Sequence, residues 1–287
     1  MMSKGVDLHT HSTASDGSFS PKELVNLAKE IDLLALALTD HDTIDGLAEA
    51  EAKAKSVGLA FVPGIEISVK FEGPGHFHLL GYFIDYQENT LTKTLIRLKE
   101  ARASRNQKMI AKLKELGVPI TWEEVVAVSG GGEIGRPHIA KVLVDKGIVK
   151  DTDEAFSRYL AKGAAAYVPK ARLDPEEAID LIHEAKGLTS LAHPYYLKLS
   201  NQELEKYVAY LKQKGLDAIE AYYTDHSPEY TAFCLELARK YNLLVTGGSD
   251  FHGANKPEIK LGVGKGSLFV PEEVYFRLKA AWEERLR

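Results

Sequence analysis

The sequence predicts an α/β fold in which a parallel sheet closes, or nearly closes, into a barrel. Seven short apolar runs alternate with amphipathic segments at helical spacing, which is the pattern of repeated βα units. No glycine-rich phosphate loop follows the first run, which favours a barrel over an open doubly wound sheet. A stretch of roughly eighty residues with helical periodicity alone interrupts this alternation, which indicates a helical insertion.

The first part of the chain contains four of the predicted strands. The apolar run that ends at Leu8 is the first, and Leu33–Thr39 is unbroken enough to suit a strand buried on both faces. Ser20–Glu23 has the pattern of a helix capping box with proline at the first helical position, so a helix begins there. The other elements predicted here are a helix at about Ile44–Ser56 and strands at Phe61–Val69 and Phe77–Ile84.

From Asn89 onward the strand pattern is replaced by helical spacing. Apolar residues recur on one helical face from Leu91 to Leu116, and further helices are predicted to begin at Thr121, Pro137 and Asp153. We expect residues 99–165 to form an inserted helical cap subdomain, and residues 1–98 and 166–287 to form the barrel. An insertion of this kind often covers an active site.

The alternation of helices and strands resumes after the insertion. The helices predicted in this part are Pro175–Lys186, Gln202–Lys214 and Pro228–Tyr241. The strands predicted between and after them are Leu188–Ala192, Leu216–Tyr222 and Leu243–Thr246. Gly262–Val270 is a candidate for a last strand before an amphipathic C-terminal helix.

Composition restricts the possible functions. The chain has 287 residues, of which 45% are hydrophobic, and can bury a large core. Its net charge of −5 argues against an extensive surface for duplex nucleic acid, although a small anionic substrate remains compatible. Cys234 is the only cysteine, which excludes an intrachain disulfide and a cysteine-based zinc site, and its apolar neighbours predict a buried thiol. There is no signal-peptide pattern and no apolar run near the ~20 residues of a membrane span, so we expect a cytoplasmic protein without membrane partners.

Candidate metal ligands follow the predicted strands. His9 and His11 are separated by one residue after the first apolar run, so an extended backbone directs both rings to the same side. In a βα barrel the loops after the strands gather on one face, which would bring distant side chains together. The alternative is that each histidine merely ends a strand. Nine side chains fit the first interpretation: His9, His11, Asp16, His41, Glu66, His78, His193, Asp250 and His252.

The ligand types and their number indicate a metal cluster. Imidazole and carboxylate groups without thiolate suit Zn, Mn or Fe, and nine groups exceed what one ion can use, so two or three divalent ions are expected. Adjacent ions need a bridging carboxylate, for which Glu66 is the candidate. Such a cluster lowers the pKa of a bridging water, so hydrolysis of a phosphate ester would need no protein nucleophile.

The ordered motifs resemble those of the polymerase and histidinol phosphatase (PHP) superfamily. They are His9-x-His11, Thr39-Asp40-His41-Asp42, Gly64-Ile65-Glu66-Ile67-Ser68, Ala192-His193-Pro194 and Gly248-Ser249-Asp250-Phe251-His252. The resemblance implies a distorted seven-stranded βα barrel with a trinuclear metal centre. It also implies three ligand sets: His9, His11, Glu66 and Asp250; Glu66, His78 and His193; and Asp16, His41 and His252.

The insertion resembles that of small stand-alone PHP phosphoesterases acting on nucleotides and short RNA. Its most informative segment is Gly135-Arg136-Pro137-His138, because proline at the first helical position places Arg136 and His138 at a helix start that favours anions. We expect these two residues to bind substrate phosphate, with Arg136 able to do so bidentately. The alternative is a surface arginine beside a histidine that caps the helix.

The predicted function is metal-dependent hydrolysis of phosphate esters by in-line attack of metal-bridging hydroxide. By resemblance, the first substrates to consider are nucleotides, such as AMP or nucleoside 3′,5′-bisphosphates, and the 5′ ends of short single-stranded RNA. One alternative is histidinol-phosphate phosphatase. Another is a non-catalytic regulatory protein that only binds metal.

Overall fold

A computed structural model describes residues 5–129 and 134–287, and its central feature is a seven-stranded sheet. The strands pair in the order in which they occur along the chain. They are β1 (Val6–Asp7), β2 (Ala35–Leu38), β3 (Ala60–Val69), β4 (Phe77–Tyr82), β5 (Leu188–Leu191), β6 (Ala218–Tyr223) and β7 (Leu244–Gly248).

The two ends of the sheet meet and nearly close it into a barrel. The amide of Leu8 donates a 3.1 Å hydrogen bond to the carbonyl of Gly247, and the amide of Asp250 donates a 2.9 Å bond to the carbonyl of His9. Thr10 and Phe251 form a further parallel bridge at this junction. The predicted seven-stranded α/β barrel is therefore confirmed.

One strand differs from the parallel sheet that the sequence predicts. β4 is antiparallel to both β3 and β5, whereas the other neighbouring strands are parallel. Only residues 70–76 connect β3 to β4. Parallel neighbours require a crossover of about a dozen residues or more, so a connection this short can only form a hairpin.

Ten α-helices occur within the described residues. They are α1 (Pro21–Glu30), α2 (Leu47–Val57), α3 (Asn89–Glu115), α4 (Trp122–Ser129), α5 (Arg136–Asp145), α6 (Thr152–Ala155), α7 (Pro175–Glu184), α8 (Asn201–Gln213), α9 (Pro228–Lys240) and α10 (Glu272–Arg285). The predicted capping box of α1 is present, because Ser20 and Glu23 each bind the other's backbone amide. Cys234, in α9, is buried, as its apolar neighbours predict.

The candidate last strand at Gly262–Val270 is not a strand in the structure. Residues 261–267 form turns, with an isolated bridge between Lys260 and Gly264. Gly262, Gly264 and Gly266 have φ values of 76°, 56° and 105°, which an extended strand cannot contain. The predicted strand is therefore wrong, because the glycines decide the backbone of this segment.

The chain divides into two compact units, each with its own core. One contains the described residues up to Lys93 together with Arg172–Arg287, and the other is Thr94–Ala171. Apolar side chains of β1, β2 and α10, such as Val6, Ala35 and Leu278, contribute to the core of the barrel unit. Met109, Leu143 and Leu160 lie in the core of the helical unit. No helix among the described residues is both long and apolar enough to cross a membrane.

Candidate metal centre

The nine predicted ligands lie in strands of the barrel unit or in the loops that follow them. β1 leads to His9, His11 and Asp16, β2 leads to His41, and β7 leads to Asp250 and His252. The other three are Glu66 in β3, His78 in β4 and His193 after β5. The structure brings all nine together.

Glu66 is the centre of this group. Its side chain is completely buried, and its Oε2 atom lies 3.3 Å from Nε2 of His9, 3.2 Å from Nε2 of His11 and 3.0 Å from Nδ1 of His41. Three imidazoles from the loops after β1 and β2 therefore surround a single carboxylate oxygen.

The second oxygen of Glu66 faces two further histidines. Oε1 lies 2.8 Å from Nδ1 of His78 and 2.9 Å from Nε2 of His193. Glu66 thus contacts five histidines that are spread over most of the chain. A carboxylate with both oxygens facing different sets of imidazoles has the arrangement expected of a bridging ligand.

Asp250 lies on the other side of His9 and His11. Its Oδ1 atom is 3.2 Å from Nε2 of His11 and 3.6 Å from Nε2 of His9. Its Oδ2 atom accepts hydrogen bonds of 2.9 Å from the hydroxyl of Tyr223 and 2.8 Å from Nζ of Lys256. These two donors hold the carboxylate so that Oδ1 faces the histidines.

Asp16 lies at the more exposed edge of the group. Its Oδ1 atom is 3.2 Å from Nε2 of His252, and its Oδ2 atom is 3.9 Å from Nε2 of His41. The loop that carries Asp16 folds back tightly, because a Cβ at Gly17 would lie 2.3 Å from the carbonyl oxygen of His11. Asp40 also holds this loop by accepting hydrogen bonds of 2.8 and 2.6 Å from the amide and hydroxyl of Ser12.

Unsatisfied buried atoms show that these side chains fit metal ions. His9 Nε2, His11 Nε2, His41 Nδ1 and Glu66 Oε2 are buried and make no hydrogen bond, although they face one another at 3.0–3.3 Å. Unpaired polar atoms in a protein interior are costly, so a cluster of them needs a partner. More than one divalent cation, each bound by a different subset of these atoms, would satisfy them.

Three groups of these atoms are close enough for each group to hold one ion. Two of the groups contain complete ligand sets implied by the family resemblance. In the remaining group His41 accompanies Glu66 and His78, while His193 contacts the same oxygen of Glu66 as His78 does. The groups are His9, His11, Glu66 and Asp250; His11, Asp16, His41 and His252; and His41, Glu66 and His78.

The charges in the site keep its central carboxylates ionised. Burial alone would raise the pKa of Glu66, but the charges of His41, His78 and other histidines lower it well below the usual value. Burial alone would lower the pKa of His11, but the nearby carboxylates of Asp250 and Glu66 raise it to about 10. A metal ion at this position therefore competes with a proton on His11.

Two of the candidate ligands have an unusual backbone conformation. His193 and Asp250 have φ values of 24° and 59°, in the region that non-glycine residues rarely adopt. Such strain is typical of functional sites, where the surrounding structure holds it in place. Here it directs both side chains toward the group of histidines.

Glu220 belongs to the site but was missed in the sequence. It is completely buried in β6, where its Oε1 atom lies 2.9 Å from Nδ1 of His9 and its Oε2 atom accepts a 2.6 Å hydrogen bond from the amide of His193. A carboxylate on the far nitrogen of a ligand histidine orients the ring. Glu220 lies within an apolar strand as Glu66 does, but that position alone does not show where the side chain points.

Asp7 is a second buried acid that the sequence analysis did not single out. It accepts hydrogen bonds of 2.9 and 2.6 Å from the amide and hydroxyl of Ser249 and of 2.8 Å from the amide of Gly262. Burial raises its pKa. Asp7 therefore connects β1 to the loop that carries Asp250, and so positions ligands from opposite ends of the chain.

The two predicted phosphate-binding residues lie in the helical unit, at the start of α5. Arg136 donates a 3.2 Å hydrogen bond from Nη1 to the carbonyl of Leu160, and its guanidinium lies 5.4 Å from the ring centre of Phe156. Nδ1 of His138 accepts a 3.0 Å hydrogen bond from the amide of Gly135, so His138 does cap the helix. Their substrate role stays a prediction.

Comparison with known proteins identifies the family. The profile described as PHP domain matches residues 7–162. The chain is 37% identical over 251 residues to the 5′-3′ exoribonuclease of Haemophilus influenzae, covering 88% of this chain and 91% of that protein. It is 35% identical over 249 residues to the 3′,5′-nucleoside bisphosphate phosphatase of Chromobacterium violaceum, covering 86% and 87%.

A solved structure agrees with these relatives. A candidate metal-dependent phosphoesterase from Bifidobacterium adolescentis superimposes with a TM-score of 0.78 at 30% identity, covering 96% of each chain. The match includes the barrel whose loops carry the nine convergent side chains. The chain therefore belongs to the PHP domain family and is a metal-dependent phosphoesterase.

Proposed function

We propose that this enzyme hydrolyses phosphate esters of nucleotides, namely nucleoside monophosphates such as AMP, nucleoside 3′,5′-bisphosphates and the 5′ ends of short single-stranded RNA. The names of the two relatives support this substrate class over histidinol phosphate and favour catalysis over a role in metal binding alone. The observation that carries the proposal is the position of Glu66, whose two oxygens face five histidines in a buried site.

The ligand set we propose holds two or three divalent ions, which can be Mn, Fe or Zn. Nitrogen and carboxylate donors without thiolate suit all three metals. When bound, such ions activate water for attack and stabilise charge on a phosphoryl oxygen. The proposed ligands are His9, His11, Asp16, His41, Glu66, His78, His193, Asp250 and His252.

The chain's own residues set the geometry of this site. Glu220 holds His9 by its Nδ1 atom, so that Nε2 faces Glu66 and Asp250. Tyr223 and Lys256 hold the outer oxygen of Asp250. Because these partners position the ligands before substrate arrives, little reorganisation is needed during the reaction.

We propose Arg136 and His138 as phosphate-binding residues. The start of α5 is the positive end of a helix dipole, which favours an anion. A guanidinium can add two parallel hydrogen bonds to one phosphate. A terminal phosphate bound in this way would select small phosphorylated substrates and RNA ends rather than extended duplexes, consistent with the net charge of −5.

The experiment that tests this proposal measures phosphate release from several substrates with the protein loaded with Mn, Fe or Zn. The substrates are AMP, adenosine 3′,5′-bisphosphate and histidinol phosphate, and 5′-labelled RNA is followed by gel. We expect turnover of the nucleotides and RNA, and loss of turnover in Glu66→Gln. Glu283→Gln, an exposed site on α10, is the matched control. Preferred hydrolysis of histidinol phosphate, or full activity of Glu66→Gln, would contradict the proposal.

A further inference from the structure

A row of aromatic rings begins at the metal centre and ends at the protein surface. Tyr195 and Tyr196 lie in the short 3-10 helix Pro194–Leu197, directly after His193. The ring of Tyr196 is 5.5 Å from that of His193, and the ring of Tyr195 is 5.6 Å from that of Tyr196. The loop after β5 therefore presents two rings in succession outward from a candidate ligand.

The inner ring of this row is fixed on several sides. The hydroxyl of Tyr196 donates a 2.6 Å hydrogen bond to Oδ2 of Asp225, which also pairs with Lys265. One face of Tyr196 stacks on His76 at a ring distance of 5.2 Å and an angle of 21°. The position of Tyr196 is therefore set before any substrate binds.

The outer ring contacts two other rings and remains accessible. Tyr195 is 51% exposed, and it packs at 68° against Tyr196 and at 90° against Tyr230, which lies in the first turn of α9. Such T-shaped contacts help to fix the orientation of the ring, and half of its surface remains exposed. An exposed ring that is held in this way, one ring away from His193, can serve as a binding surface for a flat ligand.

We propose that Tyr195 is the stacking platform for the base of the nucleotide substrate, an inference that rests on the proposed function. A nucleobase is a flat aromatic ring system, and stacking on tyrosine recognises its face rather than its edge. Tyrosine suits this role because it offers a large contact area with only two side-chain torsions to immobilise. The enzyme should therefore prefer phosphate esters that carry a base, with little discrimination among bases.

The test compares two substrates that differ only in the base. We expect Tyr195→Ala to lower kcat/KM for AMP by about 5- to 150-fold, which corresponds to about 1–3 kcal/mol, mainly through KM. The same variant should leave kcat/KM for ribose 5-phosphate unchanged. Tyr195→Trp should restore AMP hydrolysis. Tyr210→Ala is the matched control. Tyr210 is a 39% exposed tyrosine on α8, and its ring contacts the ring of Tyr207 and the ammonium group of Lys214.

A binding measurement separates this inference from the proposed function. Adenosine has a base but no phosphate, and its binding is measured by saturation-transfer NMR for the wild type and for Tyr195→Ala. We expect binding to the wild type and its loss in the variant. If Tyr195→Ala lowered kcat/KM equally for AMP and ribose 5-phosphate, or left adenosine binding unchanged, the stacking role of Tyr195 would be refuted. If the wild type bound adenosine but hydrolysed no nucleotide, the stacking role of Tyr195 would be supported and the proposed function refuted.

Discussion

Nδ1 of His9 lies 2.9 Å from Oε1 of Glu220, although 211 positions separate the two residues in the chain. Both side chains are completely buried. The other oxygen of Glu220 accepts a hydrogen bond from the amide of His193, so one carboxylate orients two candidate ligands. Because both contacts come from Glu220, β6 is as much a part of the candidate metal centre as the strands that carry the candidate ligands.

Replacing Glu220 by glutamine should weaken metal binding. The change keeps the size of the side chain but removes the charge that stabilises the orientation of His9, and such outer partners contribute about 10- to 100-fold to metal affinity. Titration of the metal-free protein with Zn or Mn measures the effect. Glu236→Gln, an exposed site on α9, is the control. Unchanged affinity in Glu220→Gln would mean that packing alone orients His9.

The replacements His41→Ala and Asp250→Asn should lower the amount of bound metal and abolish phosphate release. His41 faces Glu66 and Asp16, and Asp250 faces His9 and His11, so each change removes donor atoms from a different part of the site. Metal content is measured by mass spectrometry, and circular dichroism checks folding. Full activity in either variant would remove that residue from the mechanism.

The variant Arg136→Ala should raise KM with its metal content unchanged. Loss of a charge-assisted hydrogen bond to phosphate costs about 1.5–3 kcal/mol, so KM should rise about 10- to 150-fold. Arg136→Lys keeps the charge without the bidentate geometry, so its KM should lie between those of the wild type and Arg136→Ala. Because Arg136 also bonds to the carbonyl of Leu160, the thermal midpoint is measured alongside. A fall in kcat alone would point to a structural role.

Asp217, just before β6, connects three elements of the barrel unit away from the candidate metal ligands, namely α7, β5 and α10. It accepts hydrogen bonds of 2.8 Å from Nε2 of His183 and 2.9 Å from the amide of Thr189, and it pairs with Arg285 in α10. Burial alone would raise the pKa of Asp217, but these partners lower it below the usual value. Its ionised form therefore stabilises the fold.

The stability contributed by Asp217 should depend on pH in one direction. Because its pKa is lower in the folded state, the contribution is fully present above the unfolded value of about 3.9 and is lost as pH falls through the folded value. We expect Asp217→Asn to reduce the free energy of unfolding by about 1–3 kcal/mol near pH 6, with the difference from wild type shrinking below about pH 3.9.

Urea unfolding of the metal-free protein between pH 3 and 7 measures this difference. Asp180→Asn, an exposed position on α7, is the control and should cost less than about 0.5 kcal/mol. A difference between Asp217→Asn and wild type that stays constant down to pH 3 would show that packing, rather than charge, accounts for the contribution of Asp217.

Much of the site could be predicted because the loops that follow parallel strands lie close together in a barrel. His9, His41, His193 and Asp250 each follow an apolar run, and loops after parallel strands gather on one face of a barrel. Glu220 and Asp7 were missed for a related reason. Both acids lie inside or before such runs, where an isolated acid in the sequence does not reveal whether it faces the site or another strand.

By itself, the sequence determined the succession of strands and helices, the nine side chains that the structure brings together, and the motif order that identifies the family. These features depend on local periodicity and spacing, which follow directly from the order of residues in the chain. That the insertion covers the site stays a prediction.

Only the tertiary structure decided the direction of β4, the turns at Gly262–Gly266 and the partners of His9 and Asp250. Strand direction follows from how a short connection can fold, and hydrogen bonds across 211 positions follow from closing the barrel. Neither is a local property, because both arise only when distant segments are packed against each other.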